Sequence, residues 1–478
     1  MSLQAAFRSA QSALSTNAFQ TTTVSRNVSG ADVKGYVRKI VLVEPSSSGA
    51  SNTTRVMRAT DESLQRATLE ASSSSQGLGV VAKALDSLQT IMGDPANETS
   101  PAGRISALDA ALLQAASAPQ NTAGLATAVQ AADSLATSLN QASSQVQDVR
   151  AQADSEMAAS VSTINSLLKA FDSANRAILA SRATGQDTSD LQDRRDAILG
   201  DLAKEVSIST VTGPNGDMSI YTDSGVALFQ EMPRAVSMEP TSTFVAGTSG
   251  NAVYIDGVAI TGPSATMPVR GGALFGLAEV RDRYTVVLQS QLDETAVGLI
   301  NAFSQDASAA PTRTGLFAWT GGPALPVNGS PGIAASIRVD PIVRGDATLL
   351  RDGGIGGVGY ISNSSGSASY SSGLYALVDA LDAPQTFAAA ALPARLNVSD
   401  LATQSQAWLV GARQTTLEKS TDANAVLTQT TAALTNVTGV SIDDQMSKML
   451  DLENSYQAAA KMMAMVDSMY AALFSAVR

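Results

Sequence analysis

Histidine and cysteine are both absent from the 478 residues. The side chains that most often serve as nucleophile, acid–base group or zinc ligand are therefore missing, and any catalysis would have to run on carboxylates. No disulfide can form. A cytosolic chain with no need of thiols would look like this, and so would one that leaves the cell while avoiding them; composition does not choose. Aromatics make up only 4% of the chain, and much of its 44% apolar content is alanine, which suits close helix–helix packing better than a thick aromatic core. Basic charge is also short. With 31 Lys and Arg against 43 Asp and Glu the net charge is −12, which argues against nucleic acid or an anionic membrane as partner. No run of 18 apolar residues exists, so no membrane insertion is expected. The start, MSLQAAFRSAQSALSTNAFQ, lacks the continuous hydrophobic stretch and cleavage site of a secretory signal and reads as an amphipathic helix.

What is present is periodicity. From Met449 the positions Leu452, Tyr456, Ala459, Met463, Val466, Tyr470, Leu473 and Val477 follow in alternating steps of three and four, an unbroken coiled-coil seam. A helix over that span is roughly 40 Å long. Its stripe needs a partner helix. The N-terminal segment carries a matching, weaker stripe of Leu3, Phe7, Ala10, Leu14, Val24 and Val28, interrupted by polar Asn17 and Thr21. The simplest expectation pairs the two ends in one rod. An ordinary intramolecular hairpin would satisfy the pattern, but two alanine-rich helices bury little area between them, so neighbouring copies are expected to stack around such a rod.

Between the seams, the length suggests about three domains. Asn27–Gly30 and Lys34-Gly35 end the first helix, and residues 36–58 read as a hairpin. Helical patterns cover 61–92 and 101 to about 202, with one very long helix expected over 122–184, where proline is absent and glycine appears only at Gly124. At Val206 the period changes to 2, and Pro214-Asn215-Gly216 and Asp256-Gly257 mark two hairpins. Helix returns over 272–306, residues 311–372 are rich in Gly, Ser and Pro, and two last helical stretches are expected over about 384–435 and 441–478. The expected fold is mainly α with an inserted β module. Residues 1–40 and 437–478 form a terminal coiled-coil domain; 41–205, 271–310 and 373–436 form a long-helix bundle; 206–270 form an outer β-hairpin-rich domain; 311–372 are irregular.

Motifs of chemical interest reduce to structural ones. Gly354 to Gly359 satisfies G-x-G-x-x-G, but the sequel YISNSSGSASYSS is no helix, so a flexible loop is expected, not a nucleotide site. Asp193 with Asp196, or Asp443 with Asp444, could do acid–base work on a glycan, yet such pairs usually sit on solvated helix faces and few aromatics are available to stack on a sugar. Ser441 and Asp444 fit a capping-box-like start to the last helix. Asn27-Val28-Ser29 and Asn97-Glu98-Thr99 match the glycosylation triplet, a pattern that chance also produces. No catalytic residue, cofactor or metal site is expected.

Five blocks carry a resemblance. Asn27 to Arg38 (NVSGADVKGYVR) resembles the N-I-A-N-A-x-T-x-G-Y-x-R signature of flagellar rod, hook and hook-associated proteins, keeping Asn27, Gly35 and Tyr36 but with Gly30 for Asn and Val33 for Thr. Leu191-Gln192-Asp193-Arg194-Arg195-Asp196 resembles the L-x-D-Q-R-D helix of the hook-associated protein 1 (FlgK) family. Gly271 to Leu277 with Arg281-Asp282 is similar to that family's return helix, and Ala432 to Met446 to the approach to its last helix. Leu452 to Lys461 is similar to its L-x-x-x-Y-Q-A-S-A-K pattern, with Ala459 for Ser. The blocks lie in order along most of the chain. The resemblance is weakest over 307–372, where larger members carry a further outer domain.

The resemblance implies a structural protein of the bacterial flagellum at the hook–filament junction, secreted and only transiently cytoplasmic. Its terminal helices would form the inner core of a ring of copies, between the hook protein below and hook-associated protein 3 above. Export would be unfolded, through the flagellar type III apparatus, with a cytoplasmic chaperone on the C-terminal helix. Hook-associated protein 3 and flagellin share terminal coiled coils and stand as neighbouring readings. A secreted adhesin or effector using the same route, with the β module as binding surface, is the reading from another class.

Overall fold

The computed structural model describes residues 3–45, 52–93, 99–307 and 310–476. Asn97, Glu98 and Val477 lie outside them. Along the chain, helices α1 (Leu3–Gly30), α2 (Glu62–Met92), α3 (Pro101–Ser117), α4 (Thr122–Ala183) and α5 (Ser189–Glu205) precede the β-rich stretch. α6 (Ala273–Glu279) and α7 (Thr285–Ala302) follow it, then three short helices, α8 (Ile333–Ser336), α9 (Pro341–Gly345) and α10 (Leu349–Asp352). α11 (Ser372–Asp382), α12 (Val398–Thr438) and α13 (Ile442–Ala476) complete the series. The fold is mainly α with an inserted β region. Among the described residues no helix is long and apolar enough to cross a membrane.

The 62 residues of α4 match the stretch without internal helix breakers; its single glycine, Gly124, lies in the first turn. One expectation needs correcting. Residues 384–397 are not helical: Pro384 and Pro393 break the pattern, an extended ribbon pairs Gln385–Thr386 with Arg395–Leu396, and helix begins only at Val398. Helix instead occupies Ser372–Asp382, where Leu374, Val378 and Leu381 form a buried stripe.

Two compact units divide the chain: Met1–Ser75, Ser162–Val236 and Ala423–Arg478 form one, Gln76–Val161 and Ser237–Asp422 the other. In the first, strands β1 (Lys39–Pro45) and β2 (Asn52–Arg58) pair as an antiparallel ribbon. β3 (Ile208–Thr212), β4 (Met218–Thr222), β5 (Ala227–Gln230) and β6 (Met232–Pro233) form a four-stranded sheet in that order. Its buried face, with Ile220, Leu228 and Phe229, packs on the last part of α4, where the rings of Phe171 and Phe229 meet edge to face at 4.9 Å.

The second unit is centred on α7, buried on every side over residues 291–300. A helix so enclosed must satisfy its polar side chains internally. Asp293 accepts from the backbone N–H groups of Gly332 and Ala334, and Glu294 from those of Gly329 and Ala388, so adjacent carboxylates hold two loops. Arg281, in the π turn Val280–Tyr284 joining α6 to α7, is fully buried and paired with Asp154 at 2.6 Å and Asp282 at 2.8 Å. Residues 311–372 contribute to this core through Phe317, Ile333, Ile337, Val339 and Val343. The Gly354 to Gly359 segment is a turn followed by a 3-10 turn at Val358–Tyr360, with no helix after it to receive a phosphate. The ribbon around Asp256-Gly257, Tyr254–Ile255 against Val258–Ala259, belongs here, whereas the Asn215-Gly216 hairpin belongs to the first unit.

Candidate assembly surface

Within the first unit α1 lies antiparallel against α13. The direction follows from two side-chain bonds: Asn27 Nδ2 donates to Gln445 Oε1 at 2.9 Å, and Asn17 Nδ2 donates to Ser455 Oγ at 2.9 Å. Ten residues back along α1 match ten residues forward along α13. The first turn of α13 is capped as its residues require, with the Asp444 N–H donating to Ser441 Oγ at 3.2 Å.

The residues expected to line the seam are covered to different degrees. On α1, Ala10 and Val24 are buried, and Leu3, Phe7, Leu14 and Val28 are half-buried. On α13, Ala459 and Val466 are buried, and Met449, Leu452, Met463 and Tyr470 are half-buried. Tyr456 and Leu473 stand clear of α1, 51% and 55% exposed. Beside the covered stripe lie apolar side chains that the heptad did not mark. Met462, Met465 and Met469, spaced by three and four, share one face and are between 50% and 59% exposed, while Met446, Leu450 and Phe474, between 49% and 70% exposed, lie on the other flank of the stripe. Exposed apolar surface of this kind is characteristic of protein contacts, and methionine side chains adapt to differently shaped partners. The β1–β2 ribbon adds Ile40, Leu42 and Met57, which share its outward face and are all exposed.

The signature turn joins these parts. Asn27 is 1% exposed and uses its whole amide: Nδ2 donates to the Lys39 carbonyl (2.8 Å) as well as to Gln445, while Oδ1 accepts from the Lys39 N–H (2.9 Å) and Tyr36 Oη (3.0 Å). Gly35 sits at φ +84°, which only glycine adopts without strain. The departure at Gly30 has a physical reason, because a Cβ there would lie 2.6 Å from the Tyr36 ring.

Helix α5 supplies a feature that periodicity had hidden. Asp190, Asp193 and Asp196, three residues apart and so on one face, meet a row of cations from α1 and the ribbon. Arg26 reaches Asp187 at 3.1 Å and Asp190 at 2.6 Å; Lys39 pairs with Asp190 and lies 3.5 Å from Asp193; Arg58 pairs with Asp196. Arg58 Nε lies 2.7 Å from Asp193 Oδ1 without the alignment of a hydrogen bond, so that contact acts through charge alone. The Lys39 side chain is fully buried, its ammonium 4.1 Å from the centre of the Tyr36 ring. Burial raises Asp193 above the usual carboxylate range despite Arg58 and Lys39. Burial also opposes ionisation of Asp190, but Lys39 and Arg26 outweigh it and hold that carboxyl below the range. Asp193 and Asp196 are thus neither a solvated face nor a general acid–base pair; their partners are structural cations. On the opposite side of α5, buried Arg195 donates to Asn175 Oδ1 at 3.2 Å and to the Gly216 carbonyl at 3.0 Å, tying α5 to α4 and to the β3–β4 turn. A D-x-x-D-x-x-D spacing was the available signal for the ladder; its partners, over 130 residues away in sequence, had none.

Two family models match the chain. Residues 85–314 match the flagellar hook-associated protein FlgK helical domain, and residues 435–476 match the C-terminal domain of the flagellar basal body rod FlgEFG proteins. Among solved structures, the flagellar hook junction protein FlgK from Burkholderia pseudomallei is similar at 24% identity with a TM-score of 0.44. That match covers 53% of this chain and 46% of the other. Among curated sequences none matches.

Proposed function

The chain belongs to the FlgK family of flagellar hook-associated structural proteins, and from that premise we propose that it is a hook–filament junction protein whose terminal helices fold fully only as they assemble. The observation that carries this reading is the second apolar stripe of α13. After α1 has covered Ala459 and Val466, Met462, Met465 and Met469 remain open on a helix that α1 covers along one side only. Burial against neighbouring copies would supply what the intramolecular pair lacks, and the cost of ordering the termini would be met at that step. In this reading residues 1–40 and 437–478 form the inner layer of a ring of copies, and the long helices form the layer around it. The hook protein adjoins one face of the ring and hook-associated protein 3 the other. Before export the same methionine-rich face suits an export chaperone, since one adaptable surface serves partners of different shape. A chain without cysteine crosses a narrow export channel unfolded with no thiol to mispair.

The test is electron microscopy of cells lacking this reading frame, with a blot of the medium for flagellin. Hooks without filaments, with flagellin shed, are expected. Complementation with Met469→Asp, which alters only the open face, should reproduce that phenotype while the protein is still exported. Normal filaments on deletion would remove the junction reading and bring forward that of a secreted adhesin or effector.

A further inference from the structure

A heptad seam that is apolar at every position has no register of its own. Sliding α13 by seven residues along α1 replaces Leu452 by Ala459, Ala459 by Val466 and Val466 by Leu473, apolar for apolar throughout. Hydrophobic burial therefore distinguishes such registers only weakly, although the helix must sit in one of them. Within the helix pair the features that break this degeneracy are the polar contacts; ahead of α13 the Arg38 N–H also donates to the Thr438 carbonyl at 2.7 Å and tethers the entry to the helix. Asn27 and Gln445 are each 1% exposed, and Asn17 is 7% exposed, inside the pairing surface. Both bonds, Asn27 to Gln445 and Asn17 to Ser455, are consistent with one antiparallel register and no other. A slip of one heptad would set Asn27 against Leu452 and Asn17 against Met462 in one direction, and Asn27 against Thr438 and Asn17 against Lys448 in the other. Both present pairs would be lost, and the buried amides of Asn27 and Asn17 would give up the partners they now have.

We infer that the Asn27–Gln445 and Asn17–Ser455 pairs determine the register of the terminal helix pair, so that α1 accepts α13 in one alignment only. Gln445 shows that stability is not what the pair is built for. Its Nε2 is buried with no hydrogen-bond partner among the described residues, where a leucine would leave no donor open. Buried polar groups that lower stability while selecting one alignment are a known device of coiled coils. The inference stands on the helix pair itself and does not require the junction reading.

Absence of cysteine makes the test direct, because two introduced thiols are the only ones to label. Nitroxides on Gln11→Cys and Lys448→Cys, both exposed positions, sit about 20 Å apart along the axis in the observed register, and a one-heptad slip changes that by about 10 Å. Double electron–electron resonance on the full chain in its assembled state, labelled copies diluted into unlabelled ones, should give one narrow distance population. In Asn17→Leu/Ser455→Ala/Gln445→Leu a second population, displaced by about one heptad, is expected, with a thermal midpoint equal to or above the parent's. The exchange Asn17→Ser/Ser455→Asn in the Gln445→Leu background should restore the single population, because the swapped pair can still form. A single unshifted population in the triple variant would overturn the inference, as would a broad distribution in the parent. Should the triple variant lose its helical signal, Asn17→Ala/Ser455→Ala/Gln445→Ala, which removes the same two pairs, is read by the same criteria.

Discussion

Asn27 occupies a position where a hydrophobic residue would fill the space but answer none of the groups around it. Its four bonds close the end of α1, the start of β1, the Tyr36 hydroxyl and the first turns of α13 onto one amide. Gly35 makes this geometry reachable, since its left-handed φ turns the chain from helix into ribbon. Gly35→Ala should destabilise the first unit by about 1–2 kcal/mol, the penalty of a left-handed conformation for a residue with a Cβ, measured by urea denaturation. Gly30→Ala should also destabilise it, by a different route: the added methyl displaces the Tyr36 ring and breaks its bond to Asn27. Urea denaturation of Gly30→Ala combined with Tyr36→Phe should show less than the sum of the two single losses; fully additive losses would contradict that route.

At the scale of elements, α5 acts as an acidic rail for the cations of α1 and the ribbon. The sign of its pH dependence differs along its length. Asp190 and Asp187 are held below the ordinary carboxylate value. They contribute stability that is complete above that value and lost as pH falls through it toward their own lowered values. Asp193, raised by burial, takes up a proton in the folded chain first and so works in the opposite direction. Asp190→Asn should therefore destabilise the first unit at neutral pH, and the difference from the parent should close as pH falls through the ordinary carboxylate range. Because the Asp190 side chain is largely exposed, the effect should be about 1 kcal/mol or less and shrink in about 1 M salt. Denaturation midpoints of both chains across pH and salt would check it; a gap that widens in acid would exclude the rail.

For the whole molecule, the division into two units makes the consequence of a seam lesion local. Val466 is buried against α1, so Val466→Asp places an unpaired charge in the seam and should cost about 3 kcal/mol or more there. The core around α7 contains none of the seam residues. Hydrogen exchange on the free chain should show faster exchange over α1 and α13 and unchanged protection over residues 291–300. Equal loss of protection in both regions would mean that the units do not open separately. The same experiment on the parent bears on coupled folding: strong protection across both termini in the free chain would contradict it.

Much of this was readable from sequence because it is local. A 62-residue helix needs only the absence of breakers, and the hairpin at Asn215-Gly216 needs only residues that tolerate its turn. The heptad located the apolar stripe of α13, and the signature located the turn at Gly35. Two things were decided only in three dimensions. A stripe identifies a face but not its partner, so α1's cover of Ala459 and Val466, and the open methionine face beside them, emerged only with the helices in contact. Polar residues change meaning with their surroundings. Asn17 reads as a flaw in a stripe and Asp193 as a solvated carboxylate, until burial makes each group depend on the particular donor or acceptor brought within reach. The ribbon at 384–397 belongs with these, since its extended form is completed by a strand-to-strand bond, Phe387 N–H to the Ala394 carbonyl, which no local pattern announces. Periodicity records what a segment prefers alone; register, pairing and exposure are properties of what lies against it.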